Sequence, residues 1–451
     1  MVLIPKIKNM KNFTSLVLAI LFVQTIVCQE LPRKGWFGAR ISNENSGGIK
    51  VHQVVGGTSL NVGLKVDDVV LKINKNSINT TSDLSKIIGN LIEGNSISFE
   101  IIRNGEKITL KGKVKGRERE TIKNGKVIYE SIPFKGGKLS VIINRPNGEG
   151  KMPAILFIPG YTCSSVDGLT DNHPYGRIVR AFSEAGFVVI RVEKSGLGDS
   201  QNTPDCSSTT LYDEVDSFQA GFDKMKSLSY VDTSNLFLFG HSMGGIIAPA
   251  ISAKNEVKGT IVYGTTAKSW FEYQLEMNRL QLMLAKLPPL EYEEKCRIQS
   301  EIAFEYFIQK KSLKEIASNP LKEEILKSDW MYDGNNMIFE RNQEYWRQIQ
   351  DYPLLDNWKK ATGKVLVLFG ESDFQAFSKP DHEQIVYTVN HYKPGSAELI
   401  CFPETDHYFA KSGTMQNAFD LFSNGKILEL FESFNQDVIE KSIIWSKKQL
   451  D

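Results

Sequence analysis

Residues 240 to 244 read Gly-His-Ser-Met-Gly, directly after the apolar run "LFLF" and directly before the alanine-rich, helix-like text "GIIAPA". This is the G-x-S-x-G pattern in the strand–turn–helix context that it requires. Its glycines leave room for a sharp turn whose central hydroxyl stands clear of the strand, and the helix beginning there aims free amides at the same point. Ser242 is therefore expected to be a nucleophile. A hydroxyl is a weak one at neutral pH, so a base and a group that orients the base must follow.

Further along, "VLVLFGESDF" puts Asp373 just past one apolar run, and "LICFPETDHYF" puts His407 just past the next. The order serine, acid, histidine is the one this kind of elbow calls for. Of the other histidines, His382 and His391 fall in a helical stretch and its exit, His173 in an early loop and His52 far upstream. His241 adjoins the serine, but neighbouring side chains at such a turn point apart. Glu371 and Asp406 compete with Asp373, yet Asp406 is too close in sequence to His407 to orient the ring from behind. The expected catalytic set is Ser242, His407 and Asp373. A developing oxyanion needs two backbone donors. These are assigned to the amide of Met243, next after the serine, and to that of Tyr161 in "FIPGYTCSS".

The elements that must position these residues run from about 127 to 451. Two strand patterns, "VIYESIPF" and "LSVIINRP", lead into buried apolar runs ("AILFIPG", "FVVIRVE", "LFLFG", "GTIVYG", "KVLVLFG", "AELICF") that alternate with helical stretches. That pattern predicts a mostly parallel sheet covered on both faces, with the chemistry at its carboxyl edge. From 268 to 351 the strand pattern stops, and amphipathic helix-like text predicts a cap over that edge. Cys401 in "AELICF" is expected to be a buried strand residue.

Upstream, residues 33 to 116 read as short strands with glycine punctuation and one helix, "TSDLSKIIGNL", which Thr81 or Ser82 can cap. Asn104-Gly105 between alternating runs signals a hairpin. The polar stretch "RERETIKNGK" links the two blocks. At the start, Lys6, Lys8 and Lys11 precede the apolar run 15 to 27, which is too short to span a bilayer and fits a secretory signal peptide over residues 1 to 28. Export to the periplasm or the medium is the expectation; lipid anchoring at Cys28 ranks lower because Val27 is bulky. No later run is long and apolar enough for a transmembrane helix.

With 54 basic against 53 acidic residues, a net charge of +1 and no basic block, the chain is not expected to bind nucleic acid. Cysteine spacing offers no metal site, and neither metal nor cofactor is expected. After Cys28, the cysteines 163, 206, 296 and 401 allow three full pairings, among which the sequence does not choose.

The first block resembles a PDZ domain of the bacterial, circularly permuted type: "GWFG" resembles the carboxylate-binding loop and "GLKVDDVVLKIN" the signature that follows, with Asp67 where the family usually has glycine. The resemblance implies an open sheet edge that takes a peptide or protein C-terminus, with Trp36, Phe37 and Gly38 supplying amides. The second block resembles the α/β-hydrolase superfamily, whose motifs "IPGYTCSS", "EKSGLGDS", "GHSMGG", "GESD" and "DHYF" occur in order. That implies an esterase-like, lipase-like or dienelactone-hydrolase-like enzyme cleaving a small-molecule carboxylic ester through an acyl-enzyme. In that fold Cys163 and Cys206 follow the first two core strands, which implies a disulfide between them. A prolyl-oligopeptidase-like peptidase and an inactive peptide-binding scaffold are the competing functions.

Overall fold

The computed structural model describes residues 30–44 and 47–450, so the leader expected over residues 1 to 28 lies outside the described residues. The amino-terminal region forms an antiparallel sheet of β1 (Ala39–Asn43), β2 (Ile49–Val54), β3 (Val69–Ile73), β5 (Ser96–Arg103) and β6 (Glu106–Lys113) in that order, with β4 (Asn76–Ser77) paired to β3. Two helices complete it, α1 (Gly57–Val62) and α2 (Thr81–Gly89). Alternation along β5 buries Ile97, Phe99 and Ile101 against Leu84 and Ile88 of α2. Asn104 and Gly105 between β5 and β6 both have positive φ, 53° and 83°, as a two-residue hairpin turn demands. Asp67 has φ 69°, which explains why a glycine is the usual residue there. The cap of α2 is Thr80, one residue earlier than expected: its side chain accepts from the Asp83 amide while Asp83 accepts from the Thr80 amide.

The rest of the chain builds one eight-stranded sheet, in the order β16-β15-β12-β11-β9-β10-β8-β7. The hairpin β7 (Gly125–Phe134) and β8 (Gly137–Pro146) is antiparallel and joins antiparallel to β10 (Val188–Val192). From there β9 (Met152–Ile158), β11 (Val231–His241), β12 (Gly259–Tyr263), β15 (Lys364–Gly370) and β16 (Ala397–Phe402) are parallel. Helices α3 (Pro174–Glu184), α4 (Leu211–Ser227), α5 (Gly244–Ser252), α12 (Lys379–Tyr392) and α15 (Gln436–Lys448) cover the sheet, with α13 (Met415–Ser423) and α14 (Ile427–Glu432) near its edge.

Strand geometry sends alternate side chains into two cores. On β9, Ala154, Leu156 and Ile158 pack with Phe218 and Phe222 of α4, whereas Ile155 and Phe157 face Ile178 and Phe182 of α3 and Trp445 of α15. Burial on both faces is why these strands read as continuous apolar runs. Between β12 and β15 lies the cap, made of α6 (Trp270–Leu284), α7 (Pro289–Ala303), α8 (Leu313–Ile316), α9 (Pro320–Asp329), α10 (Gln343–Gln350) and α11 (Leu354–Lys360). The helical text is there as expected, with one exception: a short antiparallel ladder, β13 (Met337–Ile338) with β14 (Arg341–Asn342). Cys401 is half-buried rather than buried, because β16 is the edge strand of the sheet.

Candidate active site

The turn from β11 to α5 places Ser242 at φ 55°, the left-handed region that a non-glycine residue enters at a cost. Its amide is anchored to the Tyr263 carbonyl of β12 at 2.9 Å. The glycines of the motif have a steric cause. A methyl group on Gly244 would stand 2.1 Å from the Ile158 carbonyl oxygen, and one on Gly240 would stand 2.3 Å from that of Gly244. Only with bare backbone at both positions can the turn close against β9 and leave the Ser242 hydroxyl half-exposed.

Asp373 follows β15 and is fully buried. One carboxylate oxygen accepts from the amides of Gln375 and Ala376 at 2.8 and 2.7 Å, and the other lies 2.8 Å from Nδ1 of His407. That partner assigns the proton of His407 to Nδ1 and leaves Nε2 as the acceptor. His407 and Ser242 line one cavity; among the described residues no hydrogen bond joins them directly. Such contacts tighten when substrate is bound. Asp406 turns its carboxylate away into its own loop, accepting from the amides of Tyr408 and Ala410 at 2.9 Å each. Burial pushes its pKa up to about 7.

Among the described residues neither the Tyr161 nor the Met243 amide has a hydrogen-bond acceptor, so both remain available. Behind them runs a directed chain. The Gly160 amide donates to the Tyr175 hydroxyl at 3.3 Å, Tyr175 pairs with Nδ1 of His241 at 2.7 Å, and Nε2 of His241 reaches the His407 carbonyl at 2.9 Å. Burial and the neighbouring His407 drive the pKa of His241 well below its ordinary value, so the ring is neutral and its tautomer follows from these partners. His241 thus ties the loop after β9 to the loop bearing His407.

Three charged side chains for which no short spacing exists also converge here. Lys194, after β10, donates to the Gly160 carbonyl at 2.6 Å and pairs with Glu214 of α4 at 3.1 Å. Arg341 of β14 donates to the Tyr161 carbonyl at 2.7 Å and also lies 2.7 Å from the same Glu214 oxygen, an ion pair without hydrogen-bond angles. All three are buried.

The cavity measures about 750 Å³ between the sheet edge and the cap. Trp270, Tyr273, Trp346, Phe374 and Phe422 line it, and Tyr161 joins them with its ring 5.5 Å from that of Trp346. The aromatic residues of the cap therefore divide: Trp330 is packed inside, whereas Trp270, Tyr273 and Trp346 face the cavity. Cys163 and Cys206 are joined, with Cα atoms 5.8 Å apart, while Cys296 and Cys401 are free. Among the described residues no histidine, cysteine or carboxylate cluster could hold a metal ion, and no helix is long and apolar enough to cross a membrane.

In the smaller sheet β1 is an edge strand, lying beside α2, and the loop before it carries the expected peptide-binding residues. One of them drops out: the Trp36 amide already donates to the Lys115 carbonyl at 2.9 Å. Among the described residues the amides of Phe37 and Gly38 have no acceptor, and Gly38 has φ 75°.

Comparison with known proteins extends this picture. A PDZ domain model matches residues 35–114. Esterase EstD of Thermotoga maritima is 24% identical over 134 residues, 29% of this chain and 30% of that protein. A probable periplasmic serine endoprotease, DegP-like, of Pseudomonas savastanoi is 29% identical over 199 residues, 36% of this chain and 41% of that protein. The chain thus spans less than half of the length of these curated relatives. Among solved structures, Est1E from Butyrivibrio proteoclasticus with bound ferulic acid shares 20% identity at a TM-score of 0.42, covering 66% of this chain and 98% of that one. A monoglyceride lipase variant from Saccharomyces cerevisiae shares 16% at 0.43, covering 74% and 98%. The model described as serine aminopeptidase, S33, matches residues 165–407, more than half of the chain, and this α/β-hydrolase with an amino-terminal PDZ domain belongs to that family.

Proposed function

We propose that the protein is an exported serine hydrolase that cleaves carboxylic esters through an acyl-enzyme. The observation that carries the reading is the buried Asp373–His407 pair at 2.8 Å, opening on the same cavity as a serine held at positive φ. In the reaction Ser242 Oγ attacks the carbonyl carbon while its proton passes to Nε2 of His407. The Tyr161 and Met243 amides take the oxyanion, and the alkoxide leaves with the proton from His407. Water then enters by the same route and releases the acid. The aromatic side chains in the cavity wall suit an apolar acyl or aryl group.

The residue ranges follow: a signal peptide over 1 to 28, the PDZ-like domain over 33 to 116, and the hydrolase domain over 127 to 451 with its cap over 268 to 351. Support for export comes from the charged and apolar pattern at the start of the chain, from a disulfide of the kind that oxidising compartments favour, and from the relatives named as periplasmic. At the smaller domain, Phe37 and Gly38 would receive the carboxylate of a peptide laid along β1.

A second reading is supported by the family's own description as a serine aminopeptidase. The test runs short p-nitrophenyl acyl esters beside aminoacyl p-nitroanilides, with a fluorophosphonate probe as the reporter of the nucleophile. Ester turnover and labelling are expected in the wild type, and neither in Ser242→Ala. Anilide turnover faster than ester turnover would transfer the assignment to a peptidase.

A further inference from the structure

The cluster of Lys194, Glu214 and Arg341 has no role in the proton transfers, yet two buried cations share one carboxylate directly behind the loop that carries Tyr161. Burying charges in this ratio is costly, and it leaves the cluster itself with one positive charge in excess. Each cation also holds a backbone carbonyl, and Arg341 in addition donates to the Thr209 hydroxyl at 3.0 Å and lies over the Tyr345 ring. Lys194 grips the carbonyl of Gly160, and Arg341 grips that of Tyr161. These are the two peptide units on either side of the Tyr161 α-carbon.

A trans peptide is planar, with its carbonyl and amide pointing in opposite directions. Holding the Gly160 carbonyl toward Lys194 therefore turns the Tyr161 amide the other way, out of the cluster. The nucleophile lies on that loop's other flank: a methyl group on Gly160 would meet Ser242 Cβ at 3.3 Å and Oγ at 3.6 Å. The Tyr161 amide itself has no acceptor among the described residues, so its direction is set through the peptide units around it.

We infer that Lys194 is a positioning residue for the oxyanion donor: by holding the Gly160 carbonyl it aims the Tyr161 amide at the reaction centre, with Glu214 and Arg341 bracing it. This rests on the reading of Ser242 as nucleophile, and it adds a second effect. The surplus positive charge lies behind the point where negative charge develops, where a low-dielectric surrounding strengthens it. Arg341 extends the device into the cap, because β14 belongs to the segment between β12 and β15.

The test measures phosphonylation of the full chain by a fluorophosphonate, in which the Ser242 Oγ–P bond forms, fluoride leaves and the hydroxyl proton goes to His407. In Lys194→Met the phosphonylation rate constant is expected to fall at least tenfold, approaching the roughly hundredfold loss that removal of an oxyanion donor causes. The apparent inhibitor affinity stays within about twofold, the split that marks a loss confined to the transition state. Lys194→Gln, which keeps a donor without the charge, recovers part of the rate.

Wild-type rate constants in a folded Lys194→Met would overturn the inference, as would loss of the fold in both variants, which would assign the lysine to structure alone. Absence of Ser242 labelling in the wild type would overturn the nucleophile and this inference together. Labelling without ester turnover would remove only the ester assignment and leave the Lys194 comparison decisive.

Discussion

At the scale of single residues, what each carboxylate faces separates the candidates for the acid of the site. Asp373 and Asp406 are both buried and both adjoin His407, but only Asp373 presents an oxygen to the ring. Asp373→Asn should keep the fold and lower kcat by about 10⁴-fold, because the amide would favour the wrong tautomer of His407. Asp406→Asn should leave kcat nearly unchanged and act on stability instead. Its carboxyl is raised from 3.8 to about 7 by burial, so between roughly pH 4 and pH 7 the folded state holds a proton that the unfolded chain has released. The stability this group contributes is therefore complete below pH 4 and lost as pH rises through 7. Melting temperatures of wild type and Asp406→Asn across that window should converge as pH rises if the wild type starts higher; parallel curves would refute the assignment.

At the scale of elements, the legible features were those carried by neighbours in sequence. The G-x-S-x-G turn is a local object, and Asp373 and His407 are legible as candidates because each follows shortly after an apolar strand. The Asn104-Gly105 hairpin and the cap's helical text were readable for the same reason. What escaped was set by register across the fold. The Trp36 amide is taken by Lys115, 79 positions away by subtraction, which no spacing rule reveals. Lys194, Glu214 and Arg341 arrive from the loop after β10, from α4 and from β14, and the rule that neighbouring side chains at an elbow point apart says nothing of the bridge His241 makes behind them. Two predictions belong here. Gly244→Ala must displace Ile158, 2.1 Å from the added methyl, and should abolish labelling while secondary structure by circular dichroism persists. Removing the disulfide by Cys163→Ser with Cys206→Ser opens a closure of 43 residues and should cost about 4 kcal/mol on the chain-entropy model, seen as a lower denaturation midpoint.

At the scale of the whole molecule, the two sheets meet through charge. Arg33, at the entrance to the PDZ domain and almost fully buried, pairs with Asp167 and Asp199 of the hydrolase region. It also donates to the carbonyls of Arg117 and Glu118 at the domain's exit, at 2.8 and 3.0 Å, and the Lys34 amide adds a bond to Asp199 at 2.8 Å. Glu120 continues the junction by pairing with Arg191 of β10 at 2.9 Å. Arg33→Met should destabilise the chain by about 3 to 5 kcal/mol, since it takes the cation from buried Asp167 and leaves Asp199 only the longer pair with Arg119 at 3.6 Å. Asp199→Asn should cost less, and a chemical denaturation series would rank them.

That junction makes the PDZ domain's two ends meet at one arginine, so the hydrolase relies on its neighbour for a counter-ion as well as for any peptide it brings. Cutting the chain between the domains would act on the remaining enzyme as a charge deletion. A truncated protein with low activity would therefore say little about peptide docking, unless Asp167 and Asp199 were neutralised in the same molecule.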